Sequence, residues 1–257
     1  MKTFKTLAKA LMAVLMIACI SSCNKDNNED GSIFNEKKLT KIDFYDGYVS
    51  YGNISFTYDD KGRLIEAEER YVNSDRFYKE TIIWGDDAVK ISTKQSYNGN
   101  ESNNSYTLDH ADGLVQNYQI NSNSYTTVYN QSNRLIKWGK DRDQTTIIWD
   151  GDKLVSATND AYGYVYDYTF TYEKSCPKGY FPLLGILIDV GHSFYLFFAH
   201  PELLGLRTSQ LPKSITSTYE DNDPYVDTFS YELDKEGYIS KIITTYSDVG
   251  SLILTWE

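Results

Sequence analysis

The residue types that could hold a metal ion or act as a base are scarce in this chain. It contains three histidines, His110, His192 and His200. Asp189 lies three residues before His192, so the two would share one face of a helix, and Glu202 follows His200 closely. A site of two histidines and one carboxylate is conceivable, but the His-Glu-x-x-His spacing is missing. The sequence therefore predicts no metal and no cofactor, and it favours hydrogen-bonded structural histidines.

Nucleophilic and acid–base catalysis find little support in the sequence. Cys176, next to Pro177, is expected to be a buried or incidental thiol and not a nucleophile. There is no Gly-x-Ser-x-Gly elbow, no phosphate-binding glycine loop and no dinucleotide fingerprint. Paired carboxylates for glycoside hydrolysis stay open, because they meet only in the fold and the chain has 36 acidic residues. We predict a protein that is not an enzyme, with a glycan-processing enzyme as an alternative.

The first residues form a targeting segment. Residues 1–22 begin with three lysines and no acid and then run apolar from Ala10 to Ile20, the arrangement of a secretory signal. This run is too short to span a bilayer, which takes about 20 apolar residues. Ile20-Ser21-Ser22-Cys23 resembles a bacterial lipobox, which implies cleavage before Cys23 and acylation of its thiol. An ordinary secretory signal with a chance cysteine is the alternative.

The next segment, residues 23–36, is polar and aperiodic, which is typical of a flexible tether. A lysine followed by acids directly after Cys23 resembles the signal that sends Bacteroides-type lipoproteins to the outer face of the outer membrane. It implies surface display, with a periplasmic-facing anchor as the alternative. The chain has 25 basic against 36 acidic side chains, and nucleic acid requires clustered Lys and Arg. We therefore expect no nucleic-acid partner, and membrane contact through the acyl chains alone.

One hairpin-sized unit repeats along residues 37–257, which we predict to be a single β domain. Each copy is a strand that ends in a large apolar or aromatic marker residue, a turn rich in Asp, Asn and Gly, and the start of another strand. Successive markers lie 20 to 26 residues apart: Tyr58, Trp84, Leu108, Tyr129, Trp149 and Tyr172. That spacing holds two strands and two turns. Because no turn matches Asp-x-Asp-x-Asp-Gly, their acids are assigned to turn geometry and not to calcium.

The unit also carries a family resemblance. Tyr58-Asp59-Asp60-Lys61-Gly62-Arg63-Leu64 resembles the YD repeat of Rhs-type proteins. Together with the lipobox, the acidic tether and a late apolar insertion, it makes the chain resemble a family of Bacteroides-type lipoproteins of unknown function with a porin-like β fold. This resemblance implies a fold and an outer-membrane location, and no catalytic residues.

The fold prediction is an all-β protein, a strongly curved antiparallel sheet or barrel-like array of hairpins. Residues 91–95 and 101–105 lack the continuous apolar face of a membrane-spanning barrel strand, so we expect the sheet to face water.

A row of six aromatic rings marks one stretch of the chain. The rings recur at every second residue: Tyr162, Tyr164, Tyr166, Tyr168, Phe170 and Tyr172. In a single strand they would share one face. We expect sheet core there, because aromatic rings bury large areas. The alternative is an aromatic groove for sugar rings or an apolar ligand, since the Tyr hydroxyl can stay hydrated.

The repeat is broken by an insertion at about residues 177–211. Phe181 to Val190 and Phe194 to Phe198 are nearly free of charge, so we predict one or two short helices packed on the concave side of the sheet. A membrane-inserting hairpin is the alternative. The predicted function is a lipid-anchored outer-membrane binding or assembly protein with a glycan, peptide or protein partner. A carrier that holds an apolar ligand inside the sheet is a further alternative.

Overall fold

The computed structural model describes residues 37–46, 49–97, 99–120, 123–173, 177–181, 194–208, 210–220, 222–245 and 250–257. The predicted signal peptide, Cys23 and the tether lie outside the described residues. So do Cys176, Asp189 and His192.

The described residues form a closed barrel of sixteen antiparallel strands, in which each strand pairs with its neighbours in sequence and β1 pairs with β16. The strands are β1 Leu39–Asp46, β2 Val49–Tyr58, β3 Leu64–Tyr71, β4 Phe77–Trp84, β5 Ala88–Tyr97, β6 Asn100–Ala111, β7 Leu114–Ile120, β8 Asn123–Tyr129, β9 Leu135–Lys140, β10 Asp143–Asp150, β11 Lys153–Ala161, β12 Tyr164–Tyr172, β13 Pro212–Tyr219, β14 Tyr225–Leu233, β15 Ile239–Thr244 and β16 Ser251–Trp256. The all-β prediction is confirmed. Closure leaves no unpaired sheet edge.

Side chains alternate between a mainly apolar inner face and a more polar outer face. On β5, Ile91 and Thr93 are buried inside the barrel, whereas Ser92 and Lys94 are exposed outside it. The fully buried inner side chains include Leu39, Ile42, Ile54, Leu64, Leu108, Leu135 and Leu154. The hydrophobic core of this barrel is therefore its lumen, and burial of these side chains is the main source of stability.

One end of the barrel is fastened by a hydrogen bond that recurs from hairpin to hairpin. Near the end of seven of the eight even-numbered strands in the described structure, an aromatic ring donates its O–H or N–H to a backbone carbonyl at the start of the preceding strand. These bonds measure 2.5 to 2.8 Å and join Tyr58 to Leu39, Trp84 to Leu64, Tyr129 to Val115, Trp149 to Leu135, Tyr172 to Leu154, Tyr231 to Pro212 and Trp256 to Ile239. On β6 the equivalent residue is Leu108, which has no donor and is fully buried. We call this end the latch end and the opposite one the far end.

A register shift beside the turn accompanies several of these rings. The shift falls immediately before Tyr58, Tyr129 and Trp149 in their pairings with the following strand. A β-bulge bends the strand and re-aims its side chain. Five of the six marker residues of the sequence repeat, all except Leu108, are thus rings that reach across to the neighbouring strand.

The turns at the latch end follow the predicted chemistry. The Asp59 Oδ1 atom accepts hydrogen bonds from the backbone N–H groups of Lys61 and Arg63, both at 2.9 Å. Asn130 and Asp234 accept equivalent pairs of bonds in their own turns. These side chains replace backbone partners within a tight turn, so the assignment of the turn residues to geometry is confirmed for these three turns.

The described part of the insertion packs inside the barrel. A short helix, α1 Leu196–Ala199, is followed by a 3-10 turn, Pro201–Leu204. We call residues 194–206 the plug, because Phe194 and most of the apolar side chains after it are buried against the inner wall. The predicted helices on the concave side are confirmed for this segment. None of the helices in the described part of the chain is long and apolar enough to cross a membrane.

Candidate functional site

A cleft lies towards the far end, between strands β3 to β6 and the plug. It has a volume of about 590 Å³, within the range of ligand-binding pockets. Its aromatic lining consists of Phe77, Tyr78, Tyr97, Tyr106, Phe194 and Tyr195, and its polar lining of Glu69, Arg76, Gln95 and Ser96. We call it the far-end cleft. Tyrosine walls combine large apolar rings with polar tips, so such a cleft suits a ligand that is partly apolar and rich in hydrogen-bonding groups.

Glu80 of β4 holds the start of the plug against the barrel wall. Its Oε1 atom accepts hydrogen bonds from the Tyr195 N–H at 3.0 Å and the Tyr78 hydroxyl at 3.1 Å, and Oε2 accepts one from the Leu196 N–H at 3.2 Å. Burial raises the pKa of Glu80 to about 7, and these hydrogen bonds oppose the rise. Glu80 has no solvent-exposed surface, so its part in the site is to position Tyr195.

Tyr195 connects this buried carboxylate to the surface of the cleft. Its hydroxyl donates to Glu69 Oε2 at 2.7 Å, and its ring meets Tyr78 edge-on with centroids 5.4 Å apart. Burial, followed by the charge of Glu69, raises the pKa of Tyr195 well above its ordinary value. Tyr195 is therefore a neutral donor at physiological pH, and Glu69 presents a half-buried carboxylate to the cleft as a hydrogen-bond acceptor.

Arg76 lies in the turn between β3 and β4, at the mouth of the cleft. Its guanidinium carbon lies 4.4 Å from the ring centroid of Tyr71 and 5.3 Å from that of Tyr97. Such contacts hold a cation by attraction to the ring faces. Among the described residues, no carboxylate lies within salt-bridge distance of this guanidinium. Its N–H donors are therefore positioned and available to a ligand.

The row of six rings divides into a buried half and an exposed half. Phe170 is buried, and Tyr168 and Tyr172 pack against the core. Tyr172 also forms one of the latches, with Leu154. For these three rings the expectation of sheet core is confirmed.

The other three rings lie towards the far end. Tyr164 and Tyr166 are 57% and 37% exposed, and they stack on Tyr219 with centroids 6.3 and 4.6 Å away. The alternation predicted that Tyr162 lies in the strand with the other rings. In the structure it lies in the turn before β12. Tyr162 and Gly163 have φ angles of 58° and 95°, the left-handed backbone of a two-residue hairpin turn. The aromatic groove proposed as the alternative could therefore use only this exposed part.

His200 has a structural role in the plug. Its Nε2 atom accepts a hydrogen bond from the Leu64 N–H at 3.1 Å, and Nδ1 lies 2.8 Å from Glu202 Oε1. Both ring nitrogens are thus occupied, as the sequence favoured. His110 Nε2 lies 3.3 Å from the Gly85 carbonyl. Within the described ranges, no group of three or more His, Cys, Asp and Glu side chains is placed to hold a metal ion.

The residues that line the cleft were not among the predicted site residues. Glu69 lies two residues after the buried Ala67 on β3, and Glu80 two residues before the buried Ile82 on β4. Acidic residues in an inward-facing row are an available sequence signal, because a buried charge needs partners. Arg76, in a polar turn, has no comparable signal.

Comparison with known proteins identifies the fold. A porin-like protein from Bacteroides uniformis ATCC 8492 matches 85% of this chain and 98% of its own with 13% identity and a TM-score of 0.63. A porin-like protein from Bacteroides vulgatus ATCC 8482 matches 86% of this chain and 99% of its own with 16% identity and a TM-score of 0.54. No protein-family model and no curated protein matches the chain. At such low identity the likeness concerns the fold alone: this chain is similar to porin-like barrels from Bacteroides.

Proposed function

We propose that this chain is a lipid-anchored outer-membrane protein that binds a ligand at the far end of its barrel and catalyses no reaction. The observation that carries the proposal is the far-end cleft, with its tyrosine walls and the positioned guanidinium of Arg76. The latches lie at the other end, and the plug fills the lumen beneath the cleft, to whose lining it contributes Phe194 and Tyr195. Binding at the far end is thereby favoured over a carrier that stores an apolar ligand in the lumen.

The lipobox supports a lipid anchor at Cys23. In the described structure, β1 begins at the latch end, with Leu39, and the cleft lies at the opposite end. The lipobox and the acidic tether favour the cell surface. The recurring latches and Asx turns support the resemblance to the YD-like lipoprotein family. The porin-like neighbours in Bacteroides agree with an outer-membrane location.

The outer wall of the barrel supports exposure to water. Ion pairs of 2.6 to 3.0 Å lie on the outer face of neighbouring strands and join Arg70 to Glu68, Lys79 to Glu66 and Lys94 to Glu101. Lys and Arg on the lipid face of a membrane barrel cost about 2 to 4 kcal/mol each at the bilayer midplane. We infer that the protein contacts the membrane through its acyl chains and that water surrounds the wall of the barrel.

The arrangement of the acids supports a binding role over glycoside hydrolysis. That reaction needs two carboxyl groups facing the scissile bond. Glu69 lines the cleft, but Glu80 is fully buried and its two oxygens already accept three hydrogen bonds. Within the described lining, the cleft therefore presents one carboxylate to a ligand.

Location is tested by labelling whole cells with a membrane-impermeant biotin reagent. We expect labelling of the full chain in intact cells, and loss of membrane retention in a Cys23→Ser variant. A known periplasmic lipoprotein serves as the control for membrane integrity. Protection of the wild-type chain until the outer membrane is broken would contradict surface display, and normal retention of Cys23→Ser would contradict the lipid anchor.

Binding is tested by screening glycans, lipids and peptides with the detergent-solubilised full chain and two matched variants. Gln95→Trp fills the cleft, whereas Lys94→Trp adds the same bulk to the outer face of the same strand. We expect a ligand that binds the wild type and Lys94→Trp but not Gln95→Trp. If the two variants bind every ligand equally well, the far-end cleft is not the binding site.

A further inference from the structure

The guanidinium of Arg76 lies at the mouth of the far-end cleft and is held there by contacts with neighbouring residues. Arg76 lies against the rings of Tyr71 and Tyr97, and its backbone N–H donates to Ser74 Oγ at 3.0 Å within the turn. A planar guanidinium offers two parallel N–H groups that match the two oxygens of a carboxylate. Because contacts with two rings already restrict this side chain, binding costs less conformational entropy than it would for a free arginine.

The rest of the lining offers the complement of a sugar ring. Tyr78, Tyr106 and Tyr195 provide aromatic surface. Glu69 provides acceptor oxygens and Gln95 provides both an acceptor and donors. A pyranose has apolar C–H faces and hydroxyl groups around its edge, so it can lie against the rings while its hydroxyls meet the polar groups.

From this juxtaposition, and resting on the proposed function, we propose that the far-end cleft binds an oligosaccharide containing a carboxylated sugar, with Arg76 holding the carboxylate. The charge of Glu69 favours a carboxylate over a phosphate monoester as the anion that Arg76 binds. A carboxylate carries one negative charge, whereas a phosphate monoester carries nearly two at neutral pH and would be repelled more strongly by the Glu69 carboxylate on the same wall.

The test uses two disaccharides that differ only at C6. Digalacturonate carries carboxylates where galactobiose of the same glycosidic linkage carries hydroxymethyl groups. Isothermal titration calorimetry with the detergent-solubilised full chain should show digalacturonate binding at least about tenfold more tightly than galactobiose. Arg76→Gln should weaken digalacturonate binding by about tenfold or more, and Arg76→Lys, which keeps the charge and loses the fork, should fall between the two.

Two further variants make the result specific to the cleft. Arg70→Gln removes an arginine from the outer face, where it pairs with Glu68 at 2.6 Å, and should leave digalacturonate affinity unchanged. Glu69→Gln removes the repelling charge and should raise that affinity. Thermal melting of each variant confirms the fold.

Equal affinity for the two disaccharides, no binding of digalacturonate, or full affinity in Arg76→Gln would each overturn the inference. The proposed function fails separately, in the labelling experiment and the ligand screen with the Gln95→Trp variant.

Discussion

Replacing Glu80 with glutamine should remove a pH dependence from the stability of the barrel. Burial raises the pKa of Glu80 from 4.5 to about 7. At about 1.4 kcal/mol per pH unit, that difference corresponds to about 3 kcal/mol in the free energy of unfolding. Between these two pH values the folded chain keeps a proton that the unfolded chain releases.

The sign of the effect follows from this proton. Because the folded state binds more protons than the unfolded state, the contribution of Glu80 to the free energy of unfolding falls as pH rises from about 4.5 to 7. Below this window both states are protonated, and above it the penalty for burying the charge is complete. Glutamine carries no charge at any of these pH values. It does lose part of the hydrogen bonding to Tyr195 and Leu196, a cost of about 1 to 3 kcal/mol that is independent of pH.

The assay is urea unfolding of the wild type and of Glu80→Gln at a series of pH values from about 4.5 to 8, with tryptophan fluorescence as the signal. We expect the stability of Glu80→Gln relative to the wild type to improve by about 3 kcal/mol across the series. The matched control is Glu66→Gln on the outer face of β3, where the carboxylate is 39% exposed and pairs with Lys79. This control should keep the wild-type pH dependence.

A parallel pH dependence in Glu80→Gln and the wild type would refute the reasoning. If the variant fails to fold, the wild type still provides a test through an NMR titration of its Glu80 carboxyl carbon. A midpoint near that of an exposed glutamate would show that burial does not control this group.

Two further predictions concern the latch end. Trp149→Phe keeps an aromatic ring but loses the 2.7 Å hydrogen bond to the Leu135 carbonyl. Urea unfolding should therefore show a free energy of unfolding lower by about 1 to 3 kcal/mol. Wild-type stability in this variant would contradict a role for the latch. Gly205→Ala should destabilise by more than about 2 kcal/mol, because the new Cβ would lie 2.1 Å from the Asn133 carbonyl oxygen at a φ of +59°. Gly151→Ala, with a φ of +61° and open space around it, is the control and should cost only about 1 kcal/mol, and equal losses in the two would show that plug contact is not the cause.

The local features of the fold could be predicted because their causes lie within a few residues. Asp59, Asn130 and Asp234 each close a turn by bonding backbone groups two and four residues ahead. The marker rings at Tyr58 and Trp149 recur with the hairpin period. Both patterns are visible in the sequence, and both predicted the hairpin units that the barrel contains.

Burial of the aromatic row could not be predicted from such local patterns. Alternation placed six rings on one strand face, and β12 does contain Tyr164 through Tyr172. Alternation does not show which rings are covered. Phe170 is buried because it lies in the filled lumen, whereas Tyr164 reaches the far end and stays exposed. Burial here depends on the height of a residue within the barrel, which is a property of the closed sheet.

The strands, their turns and the apolar insertion could be predicted from the order of the amino acids, because alternation, turn residues and uninterrupted hydrophobicity act over short stretches of chain. Closure of the sheet and the cleft at its far end could not be predicted in this way. Tyr195 reaches Glu69 across 126 positions of the chain, and that contact exists only once the strands have paired in register and the plug has entered the lumen. Arg76 meets Tyr71 within its own hairpin, but it acquires its contact with Tyr97 only in the folded barrel, since Tyr97 belongs to the end of another hairpin. Contacts between distant residues depend on pairing and closure of the whole sheet, and no short pattern of residues records them.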